Sequence, residues 1–189
     1  MTRVFFVRHA QSDKTWEDDR TRPLTRIGLE DRKKVTDLLV SIPIDYFYSS
    51  PYKRSMDTIA ECADILGKPI YTDERFRERQ KGINGYHIDL VKKRWEDFDF
   101  CEEEGESLRS VQKRNIEALN EILTKHKDKT IVIGTHGTAL STILNYYDPG
   151  FSFEGFNRIW YWMPYVIRLD FEGTRLVGKE ELLFVERGY

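Results

Sequence analysis

Short apolar runs alternate with longer amphipathic segments over most of the chain. Val4–Val7, Ile44–Tyr48 and Thr130–Gly134 are compact apolar runs of the kind that form buried strands. Between these runs lie segments whose apolar residues recur with helical spacing. Strand–helix alternation is typical of α/β folds. It predicts a three-layer sandwich in which a mainly parallel sheet carries helices on both faces.

The helical segments begin at recognisable signals. Thr25 can cap a first helix, and we expect Ile27 to be one of its inward positions. Ser49-Ser50-Pro51 supplies hydroxyl caps followed by a proline, which is typical of the first turn of a helix. Ser107 can cap a third, long helix, and a fourth is expected over about residues 138–146.

The last thirty residues follow a different pattern. Ile159–Met163, Tyr165–Phe171 and Arg175–Val185 are predicted strands, with Glu172-Gly173 as a turn between two of them. Strands joined by tight turns run antiparallel, so the sheet is expected to be mixed. The aromatic residues of this stretch, Trp160, Tyr161, Trp162 and Tyr165, are interpreted as core and sheet surface.

Length and composition narrow the class of protein. The chain has 189 residues with 30 Lys+Arg against 32 Asp+Glu, a formal charge of −2, and 13% aromatic residues. These values argue against a disordered chain and against a general nucleic-acid binder. We expect one domain over residues 1–189, with an insertion or lid at about 82–106, where the periodicity weakens.

Nothing in the sequence points to a membrane or an export signal. No apolar run approaches the ~20 residues that a membrane helix needs, and the N-terminal apolar run is too short for a signal peptide. The two cysteines, Cys62 and Cys101, are too few for a disulfide scaffold and are interpreted as reduced thiols. The expectation is a cytoplasmic protein that binds neither membrane nor nucleic acid, in an oligomeric state that the sequence leaves open.

Cationic residues follow three of the predicted strands. Arg8-His9 comes after the first, Arg54 lies in the first turn of the helix after the second, and Thr135-His136-Gly137 comes after the third. The carboxyl ends of parallel strands share one edge of a sheet, where ligands bind. Two helix N-termini at that edge also favour an anion. Taken singly, each residue is more often structural, but together they predict a phosphoryl pocket.

Other polar clusters are given structural interpretations. Lys92-Lys93-Arg94 is read as a solvated helix face, with a second anion site as the alternative, and Glu102-Glu103-Glu104 as a solvated loop. His87 and His126 are expected at the surface, because no His, Cys or carboxylate spacing suggests a metal site.

Several segments resemble the histidine phosphatase (phosphoglycerate mutase-like) superfamily, in the family's order and over nearly the whole chain. They are Arg8-His9-Ala10 with Thr135-His136-Gly137, Pro23-Leu24-Thr25-Arg26-Ile27-Gly28, the run from Ser49-Ser50-Pro51 to Arg54 and Thr58, Phe76-Arg77-Glu78 with Gly82, and Gly105-Glu106-Ser107-Leu108. Three segments depart from the family's usual pattern: Ala10, where glycine is commonest, Lys14-Thr15, and Ile83-Asn84-Gly85.

The resemblance implies a role for each matching residue. His9 matches the nucleophile that becomes phosphohistidine, and Glu78 matches the proton donor and acceptor, with Glu74 as its nearest competitor. Arg8, Arg54 and His136 match the groups that hold the phosphoryl oxygens. Ser12 and Gly137 are also assigned to phosphate binding. The resemblance implies neither a metal nor an organic cofactor.

The resemblance also implies an activity. We expect a phosphomonoesterase that hydrolyses a small phosphorylated metabolite and releases inorganic phosphate. The alternatives are phosphoglycerate mutase-type transfer and a non-catalytic module that binds phospho-ligands. The lid region and the 10–22 loop are expected to set the choice of substrate, which the sequence does not identify.

Overall fold

The computed structural model describes residues 1–188, which form one six-stranded sheet with helices on both faces. The strands are β1 Thr2–Arg8, β2 Tyr46–Ser49, β3 Ile70–Thr72, β4 Thr130–Thr135, β5 Trp162–Glu172 and β6 Arg175–Glu186. The helices are α1 Arg26–Leu39, α2 Lys53–Ile65, α3 Ile88–Glu96, α4 Leu108–Lys125, α5 Gly137–Tyr147 and α6 Phe153–Ile159, with a 3-10 turn at Glu74–Phe76.

The strand order is β3-β2-β4-β1-β5-β6. The first four of these strands run parallel, whereas β5 and β6 are antiparallel to their neighbours. The predicted α/β sandwich with a mixed sheet is therefore confirmed. In the register of β1 and β4, Arg8 lies opposite Thr135. The residues that follow these two strands, His9 and His136, therefore leave the same edge of the sheet side by side.

Apolar side chains fill the space on each face of the sheet. Phe6 and Ile133 belong to one buried cluster, with α4 and α5, and Phe5 and Val7 belong to the other, with α1 and α2. Alternate residues of β1 thus enter opposite layers, as the pleat of a strand requires. Because β1 is buried on both sides, it reads as a continuous apolar run in the sequence.

The caps of two helices act as the sequence indicates. The hydroxyl of Thr25 accepts a hydrogen bond from the N–H of Gly28 at 3.0 Å, and that of Ser107 accepts one from the N–H of Ser110 at 3.1 Å. The inward position expected for Ile27 is wrong, since this side chain is 47% exposed. The buried face of α1 instead passes through Gly28, where a side chain would overlap the backbone of Gln11.

Helix α6 was not predicted, and α3 was indicated only by the interpretation of Lys92-Lys93-Arg94 as a helix face. Ile159–Met163 was expected to be a strand, but Ile159 is the last residue of α6 and β5 begins at Trp162. Phe156, Ile159 and Trp160 follow the i, i+3, i+4 spacing of a helix. This pattern is short, and the aromatic residues that continue after it favour a strand prediction. Helix α3 lies inside the 82–106 segment. No helix of residues 1–188 is both long and apolar enough to cross a membrane.

Candidate active site

His9 lies at the carboxyl end of β1 with its ring buried. Its Nδ1 lies 2.7 Å from the carbonyl oxygen of Ala10. A carbonyl can only accept, so Nδ1 carries the hydrogen and Nε2 carries the lone pair of the neutral ring. The Nε–H of Arg54 donates to this Nε2 at 3.3 Å. The reactive nitrogen of a neutral imidazole therefore points at a guanidinium.

The environment of His9 keeps the ring neutral. Burial, followed by the charges of Arg54 and Arg8, lowers the pKa of His9 well below its ordinary value of 6.5. Burial is the larger cause, and the charges of the two arginines add to it. A neutral ring is the form that can donate its lone pair to phosphorus.

Two arginines reach the same place from different elements. Arg8 ends β1, and its Nη1 donates to the carbonyl oxygen of Ile159 at 2.6 Å. Arg54 lies in the first turn of α2, and its Nη1 donates to the carbonyl oxygen of Asp19 at 2.6 Å and forms an ion pair with the Asp19 carboxylate at 3.2 Å. Both guanidinium groups are buried, so their orientation is set by these contacts.

His136 lies directly beside His9. The two ring centroids are 5.4 Å apart, and the Nε2 of His136 lies 2.8 Å from the hydroxyl of Ser50. Burial, followed by the charge of Arg54, lowers the pKa of His136 well below 6.5. His136 is fully buried and does not line the cavity. Its assignment as a phosphate ligand therefore stays a prediction.

Glu78 is held against the N-terminus of α5. Its carboxylate accepts from the N–H groups of Thr138 and Ala139, both at 3.0 Å, and from the N–H of Arg79 at 2.8 Å. Free N–H groups at a helix N-terminus favour an anion of this kind. Its competitor Glu74 is exposed, pairs with Arg20 and does not line the cavity.

Arg114 of α4 positions the segment that carries Glu78. Its guanidinium donates to the carbonyl oxygens of Arg75 and Arg77, both at 2.7 Å, and to that of Glu78 at 3.1 Å. Its charge is met by Glu106, whose Oε1 lies 2.9 Å from the Nε of Arg114. Burial raises the pKa of the Glu106 carboxyl, but the hydrogen bond and charge of Arg114 outweigh this and lower it to about 2.

These groups surround a cavity of about 300 Å³ at the carboxyl edge of the sheet. Six of the seven predicted site residues line it: Arg8, His9, Ser12, Arg54, Glu78 and Gly137. Among residues 1–188, no group of three or more His, Cys, Asp or Glu side chains could hold a metal ion. The cavity combines a neutral imidazole, a carboxylate and several guanidinium groups, a set that suits the transfer of a phosphoryl group.

Comparison with known proteins decides the family. A profile of the histidine phosphatase superfamily (branch 1) matches residues 4–179. The chain belongs to the histidine phosphatase superfamily. The resemblance, the fold and the general activity predicted from the sequence are thereby confirmed.

Named relatives of this histidine phosphatase include both hydrolases and mutases. Phosphoserine phosphatase 1 of Hydrogenobacter thermophilus is 32% identical over 152 residues, which cover 72% of this chain and 71% of the relative. A 2,3-bisphosphoglycerate-dependent phosphoglycerate mutase of Thermoplasma acidophilum is 29% identical over 135 residues, or 66% of this chain and 62% of the relative. A solved structure of phosphoserine phosphatase from Entamoeba histolytica, in complex with 3-phosphoglyceric acid, shares the fold with a TM-score of 0.77 and 20% identity, covering 99% of this chain and 98% of that one.

The histidine phosphatase cavity also contains residues to which the sequence assigned no site role, apart from Arg94, for whose run Lys92-Lys93-Arg94 a second anion site was the alternative interpretation. Its further cations are Lys14, Arg22, Arg79 and Arg94, and its aromatic residues are Tyr86, Phe156, Trp160 and Tyr161. Burial, followed by the charges of Arg22 and Arg8, lowers the pKa of the Lys14 ammonium to about 8. Trp160 packs against a buried apolar cluster, as the core interpretation expected, but it also lines the cavity. The interpretation is wrong for Tyr161, which is 46% exposed and lines the cavity.

Two further interpretations are corrected in the segment 82–106 of this histidine phosphatase. Arg94 and Glu102 were read as solvated, but both are buried, as is Arg79. Glu102 bridges the two arginines, with Oε1 2.7 Å from Arg79 Nη2 and Oε2 2.9 Å from Arg94 Nη1. Burial raises the pKa of the Glu102 carboxyl, but hydrogen bonds from Arg79 and the Gly82 N–H outweigh it and lower the pKa to about 2.

The two remaining histidines differ from each other. His87 is exposed, as expected. The surface position expected for His126 is wrong, since its ring is buried and its Nε2 lies 2.8 Å from the hydroxyl of Tyr48. A histidine at the end of a helix gives no local sign of a tyrosine that reaches it from a strand 78 residues earlier.

Proposed function

We propose that the enzyme hydrolyses the monoester of a small phosphorylated metabolite in two steps, through a phosphoryl group carried on Nε2 of His9. The observation that carries the proposal is the hydrogen bond between Nδ1 of His9 and the Ala10 carbonyl at 2.7 Å, which leaves the lone pair on Nε2 beside Arg54. A buried neutral imidazole between two arginines suits attack on a phosphate ester better than a structural role.

In the first step, the Nε2 lone pair forms a bond to phosphorus while the bond from phosphorus to the ester oxygen breaks. The electron pair of that bond stays on the leaving oxygen, which takes a proton from the Glu78 carboxyl group. The guanidinium groups of Arg8 and Arg54 balance the charge on the other phosphoryl oxygens. The N–H of Gly137, the first residue of α5, adds one further donor at this edge, since the N–H groups of Thr138 and Ala139 are bonded to Glu78.

In the second step, water replaces the histidine. The Glu78 carboxylate accepts a proton from the attacking water, a bond forms from its oxygen to phosphorus, and the bond to Nε2 breaks with its electron pair returning to the ring. Inorganic phosphate leaves, and Glu78 holds a proton for the next ester. Glu78 therefore alternates between donor and acceptor.

The direct test is to trap the intermediate. The enzyme is mixed with a radiolabelled aryl phosphate without added metal, quenched in base, where phosphohistidine survives, and digested for mass spectrometry. We expect the label on the peptide that contains His9 and none in His9→Ala. His87→Ala, which alters an exposed histidine, should still be labelled. Undiminished turnover and labelling in His9→Ala would refute the nucleophile.

Mutase-type transfer is the second candidate, and the cations beyond Arg8 and Arg54 favour it. Lys14, Arg22, Arg79 and Arg94 could hold a second anionic group of a substrate. A mutase would return the phosphoryl group to the bound alcohol, whereas a hydrolase releases it. The ratio of isomerised phosphoglycerate to free phosphate distinguishes them, and we expect free phosphate to dominate.

The cytoplasmic location stays a prediction, which cell fractionation would check.

A further inference from the structure

The cavity has aromatic walls as well as cationic ones. Phe156, Trp160 and Tyr161 come from α6 and the residues just after it, and Tyr86 and Val91 come from the segment that contains α3. Phosphoryl transfer requires none of these side chains. Their place on the cavity wall puts them next to the part of a substrate that carries the phosphate.

The position of α6 places this aromatic wall next to the phosphate groups. The carbonyl oxygen of Ile159 accepts a hydrogen bond from the Arg8 guanidinium at 2.6 Å. Trp160 and Tyr161 are the next two residues, and consecutive Cα atoms are only about 3.8 Å apart. An alcohol group joined to a phosphate at Arg8 would therefore lie against these rings.

Packing holds the wall in place. The ring centroids of Phe156 and Trp160 are 4.9 Å apart, and those of Phe156 and Trp95 of α3 are 5.6 Å apart. The Arg94 guanidinium fixes α3 in turn, because it bonds Glu102 at 2.9 Å and the carbonyl oxygen of Gly85 at 2.7 Å. The wall is thus preformed, which reduces the entropy lost when a ligand binds.

Two aromatic side chains of the wall are partly open to solvent. Tyr161 is 46% exposed and Tyr86 is 59% exposed, although both line the cavity. The Tyr86 ring also carries the ammonium groups of Lys14 and Lys81, at 5.6 Å and 4.8 Å from its centroid. A flat apolar ligand would cover the exposed part of both tyrosine rings, and burial of apolar surface is favourable. Offset or edge-to-face contact between rings adds to this burial.

The polar groups of the cavity disfavour two other kinds of alcohol. Within residues 1–188, no Asp, Asn or Gln lines the cavity, and its one carboxylate, Glu78, already accepts three backbone hydrogen bonds. In the described part of the chain, the side-chain acceptors left for the hydroxyl groups of a sugar are the hydroxyls of Ser12, Thr138, Tyr86 and Tyr161, with no free carboxylate or amide oxygen beside them. An amino-acid ester such as phosphoserine carries an ammonium that the lining cations repel and a carboxylate that they attract, so its zwitterionic end gains less from them than a second anionic group would. These cations are Arg8, Lys14, Arg22, Arg54, Arg79 and Arg94.

We infer that the preferred substrate is a phosphate ester whose alcohol part is flat and apolar, and that it lies between Trp160 and Tyr161 on one side and Tyr86 on the other. This inference rests on the proposed function and assigns Trp160 and Tyr161 as specificity-determining residues. An aromatic ring linked to the phosphate through an alkyl chain fits the arrangement.

The test compares 3-phenylpropyl phosphate with propyl phosphate, two esters whose alcohols are of nearly equal acidity. The difference in kcat/KM then reports binding of the ring rather than leaving-group chemistry. We expect a preference of about tenfold or more for the phenyl ester, the size typical of an added apolar group in a pocket. Phosphoserine should be a poorer substrate than the phenyl ester.

Variants assign this preference to the wall. Trp160→Ala and Tyr161→Ala should each reduce the ratio of the two kcat/KM values toward one, and Trp160→Phe should retain part of it. Trp162→Ala is the matched control, because Trp162 stacks on Phe184 at 4.1 Å outside the cavity and its loss should leave the ratio unchanged. Circular dichroism checks that each variant folds. If Trp160→Ala does not fold, the ratio measured for Tyr161→Ala, which alters an exposed side chain, tests the assignment.

The outcomes separate this inference from the proposed function. Equal kcat/KM for the two alkyl esters, or better turnover of phosphoserine, overturns the substrate class and leaves the phosphohistidine mechanism in place. An unchanged ratio in a folded Trp160→Ala and in Tyr161→Ala overturns the residue assignment. Failure to hydrolyse any ester, with no label on His9, overturns the proposed function itself.

Discussion

The guanidinium group of Arg8 occupies the space that a side chain at Gly137 would need. A Cβ atom at position 137 would lie 2.9 Å from Cζ and Nη2 of Arg8. The carboxyl end of β1 and the first residue of α5 therefore meet without a side chain between them. This contact sets the direction in which Arg8 points, and Arg8 in turn bonds the end of α6.

Gly137→Ala should therefore weaken phosphate binding. The new methyl group displaces the Arg8 guanidinium, and we expect kcat/KM for an aryl phosphate to fall by about tenfold or more, because a misplaced charge group loses much of its effect. Inhibition by inorganic phosphate should weaken in parallel. Gly188→Ala is the control, since a Cβ there has no neighbour within 4 Å. Equal inhibition of wild type and Gly137→Ala by inorganic phosphate would show that the close contact between Gly137 and Arg8 does not contribute to phosphate binding.

Glu78→Gln should slow esters according to their leaving groups. An alkyl alkoxide requires a proton as it leaves and a nitrophenolate hardly does, so we expect a loss of about 10²-fold or more for alkyl phosphates and a smaller loss for nitrophenyl phosphate. Steady-state rates over a series of esters measure the slope against alcohol acidity. Glu74→Gln, which alters an exposed carboxylate paired with Arg20, should leave that slope unchanged. The same slope in Glu78→Gln and wild type argues against the acid role.

The buried histidines should make the protein less stable in mild acid. Burial, with nearby cations, lowers the pKa values of His9, His126 and His136 below 6.5 in the folded state. Below pH 6.5 the unfolded chain therefore binds more protons than the folded one, and the free energy of unfolding falls as the pH decreases. For each histidine the slope approaches about 1.4 kcal/mol per pH unit.

Urea unfolding at pH 7.5 and pH 5.5 checks this dependence. The carboxyl groups with lowered pKa values, such as Glu102 and Glu106, lose their contribution only as the pH falls below about 4.5, so they remain charged in this window. Wild type should lose stability between the two pH values, and His9→Ala should lose less. His87→Ala, at an exposed site, should match wild type. A flat profile for wild type would mean that the histidines bind protons as readily in the folded protein as in the unfolded chain.

Glu102→Gln should destabilise the fold strongly. It leaves the buried guanidinium groups of Arg79 and Arg94 without the carboxylate that they share, and removal of one partner from a buried ion pair costs about 3–5 kcal/mol. Urea unfolding measures this loss. The neighbouring Glu103→Gln alters an exposed carboxylate and should change stability by no more than about 0.5 kcal/mol. Similar values for the two variants would mean that the Arg79–Glu102–Arg94 cluster contributes little.

Local patterns in the sequence predicted the elements that build the site. The apolar run Val4–Val7 lies inside β1, and the hydroxyls of Thr25 and Ser107 cap α1 and α4. These signals depend on neighbours within about four residues, so they are readable without the fold. Strand-end residues could also be placed, because parallel strands bring their carboxyl ends to one edge.

Features that depend on partners far apart along the chain could not be read in this way. Glu102 looked solvated because its two arginines lie 23 residues before it and 8 residues before it, in segments of no clear periodicity. Trp160 was predicted to lie in a strand because α6, the helix before it, has only seven residues and so shows little helical periodicity of its apolar residues. In both cases, burial is decided by which segments meet, and not by the residue or its neighbours.

The sequence alone determined the class of fold, the edge at which the site forms and the residues that follow β1, β2 and β4, because strand periodicity and chain direction are local properties. Only the tertiary structure decided that Glu78 binds the N-terminus of α5, that His136 packs beside His9 without lining the cavity, and that an aromatic wall lies next to Arg8. These arrangements arise from the packing of remote segments, where the space left by one side chain selects the position of another.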